Sequence, residues 1–300
     1  MALFLESLNQ ENSQFIFCVK CKGKLSLEIL DEQESVIKEG FFFCSNCNLK
    51  YPIISKIPIL VEDLTQFFTN RPFLGKWLIK SSLTKTMKKF IKNKIPIISK
   101  SNFDLSAKEA FWTEIYRNNK RSIFYKNTKS QLSKIPQKNY VLEYGSSIGI
   151  ISNMLALKHK HVFGIDKSFF ALVEANKKSP KNCLYILSDV IKHPLGNKKF
   201  DLVVALNLFD IVEPSLLIKT ISKQISNGLI FLSDPYDYDR GKNSVKKPLD
   251  ENQIRTTLHQ NGFQITKNTK KPTKITWNIK FNERISINYK VDTIIAKKYS

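Results

Sequence analysis

The sequence contains little arginine and no apolar run long enough to cross a membrane. Of its 48 basic residues, 42 are lysine and only 6 are arginine, the side chain suited to bidentate phosphate contacts. The longest strongly apolar stretch, 202–212, has 11 residues, whereas roughly 20 are needed to span a bilayer. The first twelve residues lack the basic segment and apolar run of a signal peptide. These absences predict a cytoplasmic protein with no membrane span.

Acidic residues are also scarce. The chain has 26 of them against 48 basic residues, for a net charge of +22, which usually indicates a polyanionic partner such as nucleic acid. The charge is uneven, because residues 1–63 hold 6 lysines and 9 acidic residues while the remainder holds 42 basic and 17 acidic ones. The low arginine content, and a lysine excess that A+T-rich codon usage alone can produce, weaken the nucleic-acid interpretation.

The 300 residues are 42% hydrophobic and 25% charged, as in ordinary globular proteins. This length suits one large domain or two unequal ones. Shifts in charge and in residue pattern predict three segments, at residues 1–63, 64–103 and 104–300.

Four of the five cysteines form two CxxC pairs, Cys18 with Cys21 and Cys44 with Cys47. Two such knuckles supply the tetrahedral set of four thiolates that Zn²⁺ prefers. Four protein ligands leave no open position, so the pattern predicts a structural zinc ion. Disulfides are disfavoured because no secretory signal is present. Cys183 lies in an apolar stretch and is expected in the core.

Short apolar runs around the knuckles predict a small ribbon of strands. The second knuckle is followed by Tyr51-Pro52-Ile53 and then by Ile57-Pro58-Ile59-Leu60. Over residues 13–63 this arrangement resembles the zinc-ribbon family whose stand-alone members bind and activate several methyltransferases. The resemblance implies a methyltransferase as the neighbouring domain, and it makes the ribbon a candidate surface for a protein partner.

A basic segment joins the ribbon to the rest of the chain. Residues 71–100 contain nine lysines or arginines and no acid. Apolar residues recur at near-helical spacing, which predicts a basic amphipathic helix ending before Pro96. Such a helix is either a contact for RNA or an anionic membrane, or a solvated helix packed between domains. Because charge runs are usually solvated faces, the second interpretation is favoured.

From residue 104 onward, helical and strand-like periods alternate. A helix is expected over 108–132, with Asp104 or Ser106 as its N-cap, followed by strands at 140–144, 161–165, 184–187, 202–206 and 229–233. Later come a helix at 251–260 and strands at 263–267 and 290–296. Strands alternating with helices predict a doubly wound α/β domain with a mostly parallel sheet.

The most informative loop follows the first strand of this domain and opens a helix. It contains Glu143, Gly145, Ser147 and Gly149, with glycines where backbone must approach a ligand closely. Two further acids follow the next two strands and are expected at the same sheet edge, which is where a carboxylate can hold a ribose diol. These acids are Asp166 and Asp189.

Together these stretches resemble the class I S-adenosylmethionine-dependent methyltransferases, over about residues 104–300, which have a Rossmann-like fold. The resemblance implies that Glu143, Gly145, Ser147 and Gly149 hold the methionine end of S-adenosylmethionine. It also implies that Asp166 binds ribose and that Asp189 with Val190 flanks adenine. Ser147 replaces the middle glycine of the family pattern.

Two other enzyme classes match the loop less well. A dinucleotide-binding G-x-G-x-x-G would place Ile150 where helix–strand packing favours glycine. The G-x-S-x-G elbow of α/β-hydrolases needs several strands before it, and that part of the domain is expected to be mostly helical.

Residues beyond the fourth and fifth strands are the candidates for the methyl acceptor. Asn207 and Asp210 follow the fourth strand, and Asp234, Tyr236 and Asp237 follow the fifth. Carboxylates and aromatic faces suit a cationic amine. The N/D-P-P-Y signature of many amino-methylating enzymes is absent. The pair of loops loosely resembles methyltransferase domains acting on small amino-acid-derived molecules, such as the domain fused to ovothiol synthases.

The sequence thus predicts a zinc ribbon fused to a methyltransferase that acts by direct methyl transfer to N, O or S of a small molecule. Two alternatives remain open. One is an RNA methyltransferase that uses residues 76–100 as a phosphate track. The other is a non-catalytic protein that keeps the fold and uses the zinc ribbon to bind a protein partner.

Overall fold

A computed structural model describes residues 8, 13–95, 104–239, 241 and 244–299 of the chain. It divides into two units, each treated separately below. The first comprises Met1–Glu114, Ser147–Gly149 and Gly164–Gly196, and the second comprises Ile115–Ser146, Ile150–Phe163 and Asn197–Ser300. Among the helices in the described ranges, none has both the length and the apolar character needed to cross a bilayer.

The first unit begins with four antiparallel strands that carry the two cysteine knuckles. They are β1 (Ser26–Gln33), β2 (Val36–Cys44), β3 (Leu49–Ile54) and β4 (Ile57–Leu60). The β1–β2 and β3–β4 connections are two-residue turns whose central residues all have positive φ, between 50° and 68°. Such turns match the right-handed twist of paired strands, and this makes them suitable for hairpins.

The ribbon extends the sheet of the first unit through β4. This strand runs parallel to β7 (Cys183–Ser188), with Ile59 opposite Leu187 and Leu60 opposite Ser188. The Ser188 hydroxyl donates to the Leu60 carbonyl at 2.9 Å. Both β4 and β7 are buried along their length, as strands covered on both faces are. The ribbon therefore adds its strands to an edge that would otherwise expose unpaired backbone groups.

Three helices occupy the described part of the predicted linker, residues 64–103, and the last two lie in its basic segment: α1 (Leu64–Thr69), α2 (Pro72–Ser81) and α3 (Lys85–Lys94). The sequence predicts one amphipathic helix here, but the structure interrupts it at residues 82–84. The buried Glu39 carboxylate of β2 accepts hydrogen bonds from the Leu83 and Thr84 amides and from the Thr84 hydroxyl. These contacts start a new helix at α3. Pro96 and the predicted linker up to residue 103 lie outside the described residues.

Two helices replace the single helix that the sequence predicts over 108–132. They are α4 (Leu105–Asn118) and α5 (Ile123–Ser133). Ser122 caps α5, and the Asn119 side chain exchanges two hydrogen bonds of 2.8 Å with the backbone of Lys280. Asn119 thus leaves the helix to pair with a strand distant in sequence. Asp104, one of the two predicted caps, accepts from the Ser106 amide at the start of α4.

The second unit contains the parallel strands β5 (Tyr140–Tyr144), β8 (Leu202–Leu206) and β9 (Gly228–Asp234), in that order. Antiparallel strands then complete it: β12 (Ser286–Lys298) pairs with β9, and β10 (Phe263–Ile265) and β11 (Ile275–Lys280) pair with β12. Its helices, besides α5 and part of α4, are α6 (Ile150–Ala156), α8 (Pro214–Gln224) and α9 (Glu251–Gln260).

The strand β6 (His161–Asp166) begins in the second unit and ends in the first, where α7 (Phe169–Asn176) follows it. β8 is buried at every residue, as expected for a central strand. The predicted α/β class with mostly parallel strands is confirmed. The strand β11 was not predicted from the sequence.

Candidate metal, cofactor and acceptor sites

The four paired cysteines converge on one point in the ribbon. Their sulfur atoms all lie within 4.8 Å of one another. The Cys18 and Cys47 sulfurs are 3.9 Å apart, and those of Cys21 and Cys44 are 3.5 Å apart. A tetrahedral zinc ion with Zn–S bonds of about 2.3 Å holds its sulfurs about 3.8 Å apart. The cluster therefore fits a ZnS₄ shell, and these separations are too long for disulfides.

The two knuckles share a local backbone conformation. The residue after each second cysteine, Lys22 or Asn48, has positive φ, at 61° and 55°. The Gly23 amide donates to the Cys21 sulfur, and a Cβ at Gly23 would lie 2.9 Å from the Asn46 side-chain nitrogen. The left-handed turn and the small residue bring amide groups toward the sulfurs, and such donors stabilise thiolate ligands.

The loop between β5 and α6 alternates in backbone conformation. Gly145, Ser147 and Gly149 have φ of +70°, +47° and +73°. A Cβ at Gly145 would lie 2.7 Å from Leu208, and one at Gly149 would lie 2.3 Å from the Tyr185 hydroxyl. Both positions therefore require glycine. Ser147 holds a left-handed conformation that costs a residue with a Cβ roughly 1–2 kcal/mol.

Asp166 offsets the strain at Ser147. Its carboxylate accepts from the Ser147 amide at 2.8 Å and, through its other oxygen, from the Ser168 amide at 2.8 Å. Burial raises the pKa of Asp166, while these donors act in the opposite direction. The side chain ties the loop to the end of β6. Each oxygen keeps lone-pair capacity for a ligand hydroxyl.

Asp189 follows β7 and has charged and backbone partners. One oxygen accepts from the Ile191 amide at 2.7 Å, and the other lies 2.5 Å from the Lys167 Nζ. Burial opposes ionisation, yet the ion pair with Lys167 and the backbone donors lower the pKa of Asp189 overall. Val190, next in the chain, is buried.

Glu143 lies near the end of β5 and is only 2% exposed. Its carboxylate accepts from the Ser152 hydroxyl of α6. This contact joins the strand to the helix that follows the glycine loop.

The loops after β8 and β9 are tied together by Asp234. Its carboxylate accepts from the Phe209 amide at 2.9 Å and the Tyr236 amide at 2.8 Å. Burial, with the nearby charge of Asp210, raises the pKa of Asp234 to about 7. Asn207 has a φ of +55°, and its backbone amide donates a hydrogen bond to the Ser233 carbonyl. The Asn207 side-chain oxygen is buried and has no hydrogen-bond partner in the described residues.

Tyr236 is held by residues that the sequence did not single out. Its ring stacks on Phe209 at 6.3 Å, and its hydroxyl donates to Asp292 at 2.8 Å. Asp292 also pairs with both terminal nitrogens of Arg255, at 2.7 and 3.1 Å. Arg255 is one of only six arginines in the chain, a signal that could have drawn attention to it. Asp237, in the same loop, accepts from the Tyr289 hydroxyl.

The predicted ligand-binding residues fall into two groups. The first unit holds Ser147, Gly149, Asp166, Asp189 and Val190, and the second holds Glu143, Gly145, Asn207, Asp210, Asp234 and Tyr236. Within each unit, the structure shows direct contacts among loop residues that follow neighbouring strands.

In the predicted phosphate track, the exposed lysines within the described residues are Lys76, Lys80, Lys85, Lys89 and Lys92. Residues 96–100 of that track lie outside the described range.

Comparison with known proteins identifies the fold. A family model described as a methyltransferase domain matches residues 142–232. One chain of the complex between the Haloferax volcanii Trm112 methyltransferase activator and the putative methyltransferase aligns over 65% of this chain and 96% of its own length, at 11% identity and a TM-score of 0.52.

Two further structures align with lower scores. The N-methyltransferase NodS from Bradyrhizobium japonicum, in complex with S-adenosyl-L-homocysteine, shares 14% identity over 63% of this chain and 98% of its own, at a TM-score of 0.48. Magnesium protoporphyrin IX methyltransferase from Synechocystis, with bound S-adenosylmethionine, shares 16% identity over 79% of this chain and 98% of its own, at 0.42. No curated protein sequence matches the chain.

Proposed function

This chain has a Rossmann-like methyltransferase fold, and we propose that it is an S-adenosylmethionine-dependent methyltransferase acting on an N, O or S atom of a small molecule. One observation carries the proposal. The matched methyltransferase domain contains a loop with two obligatory glycines and a left-handed Ser147, tied by hydrogen bond to Asp166. Such a loop exposes backbone amides to a ligand and sets a carboxylate beside it.

The proposed cofactor-binding residues contact different parts of S-adenosylmethionine. Glu143, Gly145, Ser147 and Gly149 would hold its methionine portion, Asp166 its ribose, and Asp189 with Val190 its adenine. The observed partners of Asp166 leave lone pairs for hydroxyl donors. When bound, S-adenosylmethionine supplies a sulfonium methyl group that a nucleophile displaces in line.

The chain's contribution to the reaction is orientation. The buried Asn207 side-chain oxygen, which has no partner in the described residues, is suited to accept from an N–H or O–H of the acceptor. Asp210 is also buried and is suited to hold an acceptor amine. Asp234 serves mainly to fix the two loops, since both its oxygens already accept backbone amides. Tyr236 would line the acceptor pocket, and the exclusion of water would favour direct transfer.

The zinc ribbon is proposed as a structural domain over residues 1–63, followed by a helical linker over 64–103 and the catalytic domain over 104–300. A zinc ion held by Cys18, Cys21, Cys44 and Cys47 would have no open coordination position. Metal analysis of the purified chain should find one zinc ion per chain, lost in Cys44→Ser and retained in Cys183→Ser. Equal zinc content in these two variants would refute the assignment.

An RNA acceptor is the second candidate function. Five exposed lysines on α2 and α3 favour it. Each phosphate neutralised by lysine releases counterions, so binding would weaken steeply as salt rises. Replacing Lys85, Lys89 and Lys92 together by glutamine should then reduce RNA affinity and lower its salt dependence. Unchanged binding would remove this candidate.

A non-catalytic role is favoured only by the strain at Ser147, and it predicts no affinity for S-adenosylmethionine.

The decisive experiment is calorimetric titration of zinc-loaded protein with S-adenosylmethionine and S-adenosylhomocysteine. We expect micromolar binding that is weakened in Asp166→Asn and unchanged in Glu283→Gln, an exposed acid on the β11–β12 connection. Transfer of labelled methyl into separated small-molecule, RNA and protein fractions then identifies the acceptor. A folded wild-type protein that binds neither ligand would refute the proposed function.

A further inference from the structure

A partly buried carboxylate in the first unit, that of Glu109, has an incomplete set of hydrogen-bond partners in the described residues. Glu109 of α4 is 16% exposed at its side chain and pairs with Arg71, which is 10% exposed. Both Arg71 contacts, from Nε at 3.0 Å and Nη2 at 2.7 Å, go to the same oxygen, Oε1. The other oxygen, Oε2, is buried and has no hydrogen-bond partner in the described part of the chain.

This arrangement is unusual for an arginine–carboxylate pair. The guanidinium usually engages both carboxylate oxygens side by side, which satisfies the acceptor as well as the charge. A buried oxygen without a donor has lost its hydrogen bonds to water, and no hydrogen bond within the protein replaces them. An acceptor held in this state is suited to a ligand that brings its own donor.

A series of contacts within the first unit links this carboxylate to the helix that follows β6. The start of α2 is tied to the start of α4, because the Phe73 amide donates to Asp104 and the Leu74 amide to the Ser106 hydroxyl. The ring of Phe73 also lies 5.6 Å from that of Phe170 in α7. Since α7 begins three residues after Asp166, the start of α2, which Arg71 precedes, contacts the helix that follows the proposed ribose carboxylate.

Electrostatics agrees with this placement. Burial raises the pKa of Glu109, and the negative charges of Asp166 and Asp104 raise it further, whereas Arg71 lowers it. Two carboxylates near one another repel unless a donor lies between them. A ligand with two adjacent hydroxyls would relieve this repulsion by donating one hydrogen bond to each.

We propose that Glu109 is a further cofactor-binding residue, whose Oε2 accepts a hydrogen bond from a ribose hydroxyl of the adenosyl group, and that Arg71 positions it. The inference rests on the proposed function, because it requires an adenosyl ligand at Asp166. It assigns one ribose hydroxyl to Glu109 and the other to Asp166. Arg71 acts only through Glu109, by holding Oε1 and leaving Oε2 toward the ligand.

The test compares Glu109→Gln with wild type in titrations with S-adenosylhomocysteine. Glutamine can keep its carbonyl oxygen on Arg71, and its NH₂ group then replaces the acceptor with a donor. We expect affinity to fall by about tenfold or more, as for loss of a hydrogen bond to a charged group. Arg71→Lys should lose less affinity for S-adenosylhomocysteine than Glu109→Gln does. The control is Glu114→Gln, since Glu114 is an exposed acid of α4, and this variant should bind as the wild type does.

Competition by adenosine, 2′-deoxyadenosine and 3′-deoxyadenosine assigns the hydroxyl. The wild type should bind the analogue that lacks the hydroxyl facing Glu109 about tenfold more weakly than it binds adenosine. Glu109→Gln should bind that analogue and adenosine with equal affinity. An equal loss in both proteins would overturn the inference, as would unchanged affinity of Glu109→Gln for S-adenosylhomocysteine. If only Asp166→Asn weakens binding, this inference fails alone. If the wild type binds no adenosyl compound, the proposed function fails with it.

Discussion

Each unit of this protein contains a largely shielded arginine–carboxylate pair, and the two pairs differ in how many of their carboxylate oxygens have hydrogen-bond donors in the described residues. In the second unit, both oxygens of Asp292 are engaged, one by Arg255 and the Thr273 amide and the other by Arg255 and the Tyr236 hydroxyl. In the first unit, Glu109 has Arg71 on one oxygen, and within the described ranges its other oxygen has no donor. A closed set of partners is what a structural role needs, whereas an open acceptor is suited to a ligand.

Two further carboxylates, which are buried and have no arginine partner among the described residues, extend this comparison. Glu39 in the first unit accepts from three donors at the start of α3. Asp234 in the second accepts hydrogen bonds from the backbone amides of Phe209 and Tyr236. Because the oxygens of Glu39 and Asp234 have donors, substitutions there should affect stability. Because one oxygen of Glu109 has no donor in the described residues, substitution there should affect ligand binding.

The largest effect is expected from breaking the closed pair. Asp292→Ala leaves Arg255 buried without its counter-ion, which typically costs about 3–5 kcal/mol in the free energy of unfolding. Urea denaturation monitored by circular dichroism measures this loss. Asp292→Asn should lose less, because it keeps one acceptor oxygen. A loss under about 1 kcal/mol in Asp292→Ala would contradict the structural role of the pair.

The next effect concerns pH. The pKa of Asp234 is raised to about 7 from an ordinary value of 3.8, so the folded state holds a proton that the unfolded state releases. Its contribution to stability is therefore fully present below pH 3.8 and is lost as pH rises through about 7, by up to about 4 kcal/mol. Carbon NMR of aspartate side chains should show one resonance titrating near neutral pH, absent in Asp234→Asn. If all aspartates titrate below pH 5, the prediction is wrong.

A smaller loss is expected at the ribbon. Glu39→Ala removes the acceptor for three donors at the start of α3 and should lower the free energy of unfolding by about 2 kcal/mol. Amide hydrogen exchange should show faster exchange at Leu83, Thr84 and the first turn of α3. The matched control is Glu28→Ala, since Glu28 makes only an exposed ion pair with Lys50 in the described residues. Equal losses in the two variants would show that the carboxylate cap contributes nothing special.

The smallest effect on stability is expected where the partner set is open. Glu109→Gln should lower the free energy of unfolding without ligand by about 1 kcal/mol, less than Glu39→Ala does, because the hydrogen bond to Arg71 is kept although its counter-charge is lost. At a ligand concentration of 100 Kd, the wild type gains about 2.7 kcal/mol from binding, and a tenfold weaker variant gains about 1.4 kcal/mol less. Thermal melts with and without S-adenosylhomocysteine measure both quantities. A large loss without ligand and no change in the ligand-dependent gain would make Glu109 a structural residue.

Much of the architecture was predictable because it depends on local patterns. The bounds of β5 and β8 agree with the apolar runs at 140–144 and 202–206. The paired cysteines predicted a four-thiolate cluster, and the structure brings their sulfurs together. The predicted ligand-binding residues, the cytoplasmic location and the domain bounds stay predictions.

Other features depended on contacts across long stretches of chain. The break between α2 and α3 arises from Glu39, 44 residues before Leu83. The break between α4 and α5 involves Asn119 and a strand residue 161 positions away. β11 was missed because its stability comes from pairing with β12 and from Asn119, contacts that its own residues do not record.

The sequence by itself determined the cysteine cluster, the glycine loop and the parallel strands of the sheet, because spacing and periodicity act over a few residues. Only the tertiary structure decided which carboxylates are closed and which is open. Arg71 and Glu109 are 38 residues apart and Arg255 and Asp292 are 37 apart, with the same charges and nearly the same separation. What distinguishes them is the number of donors that folding brings to each oxygen, which no local pattern records.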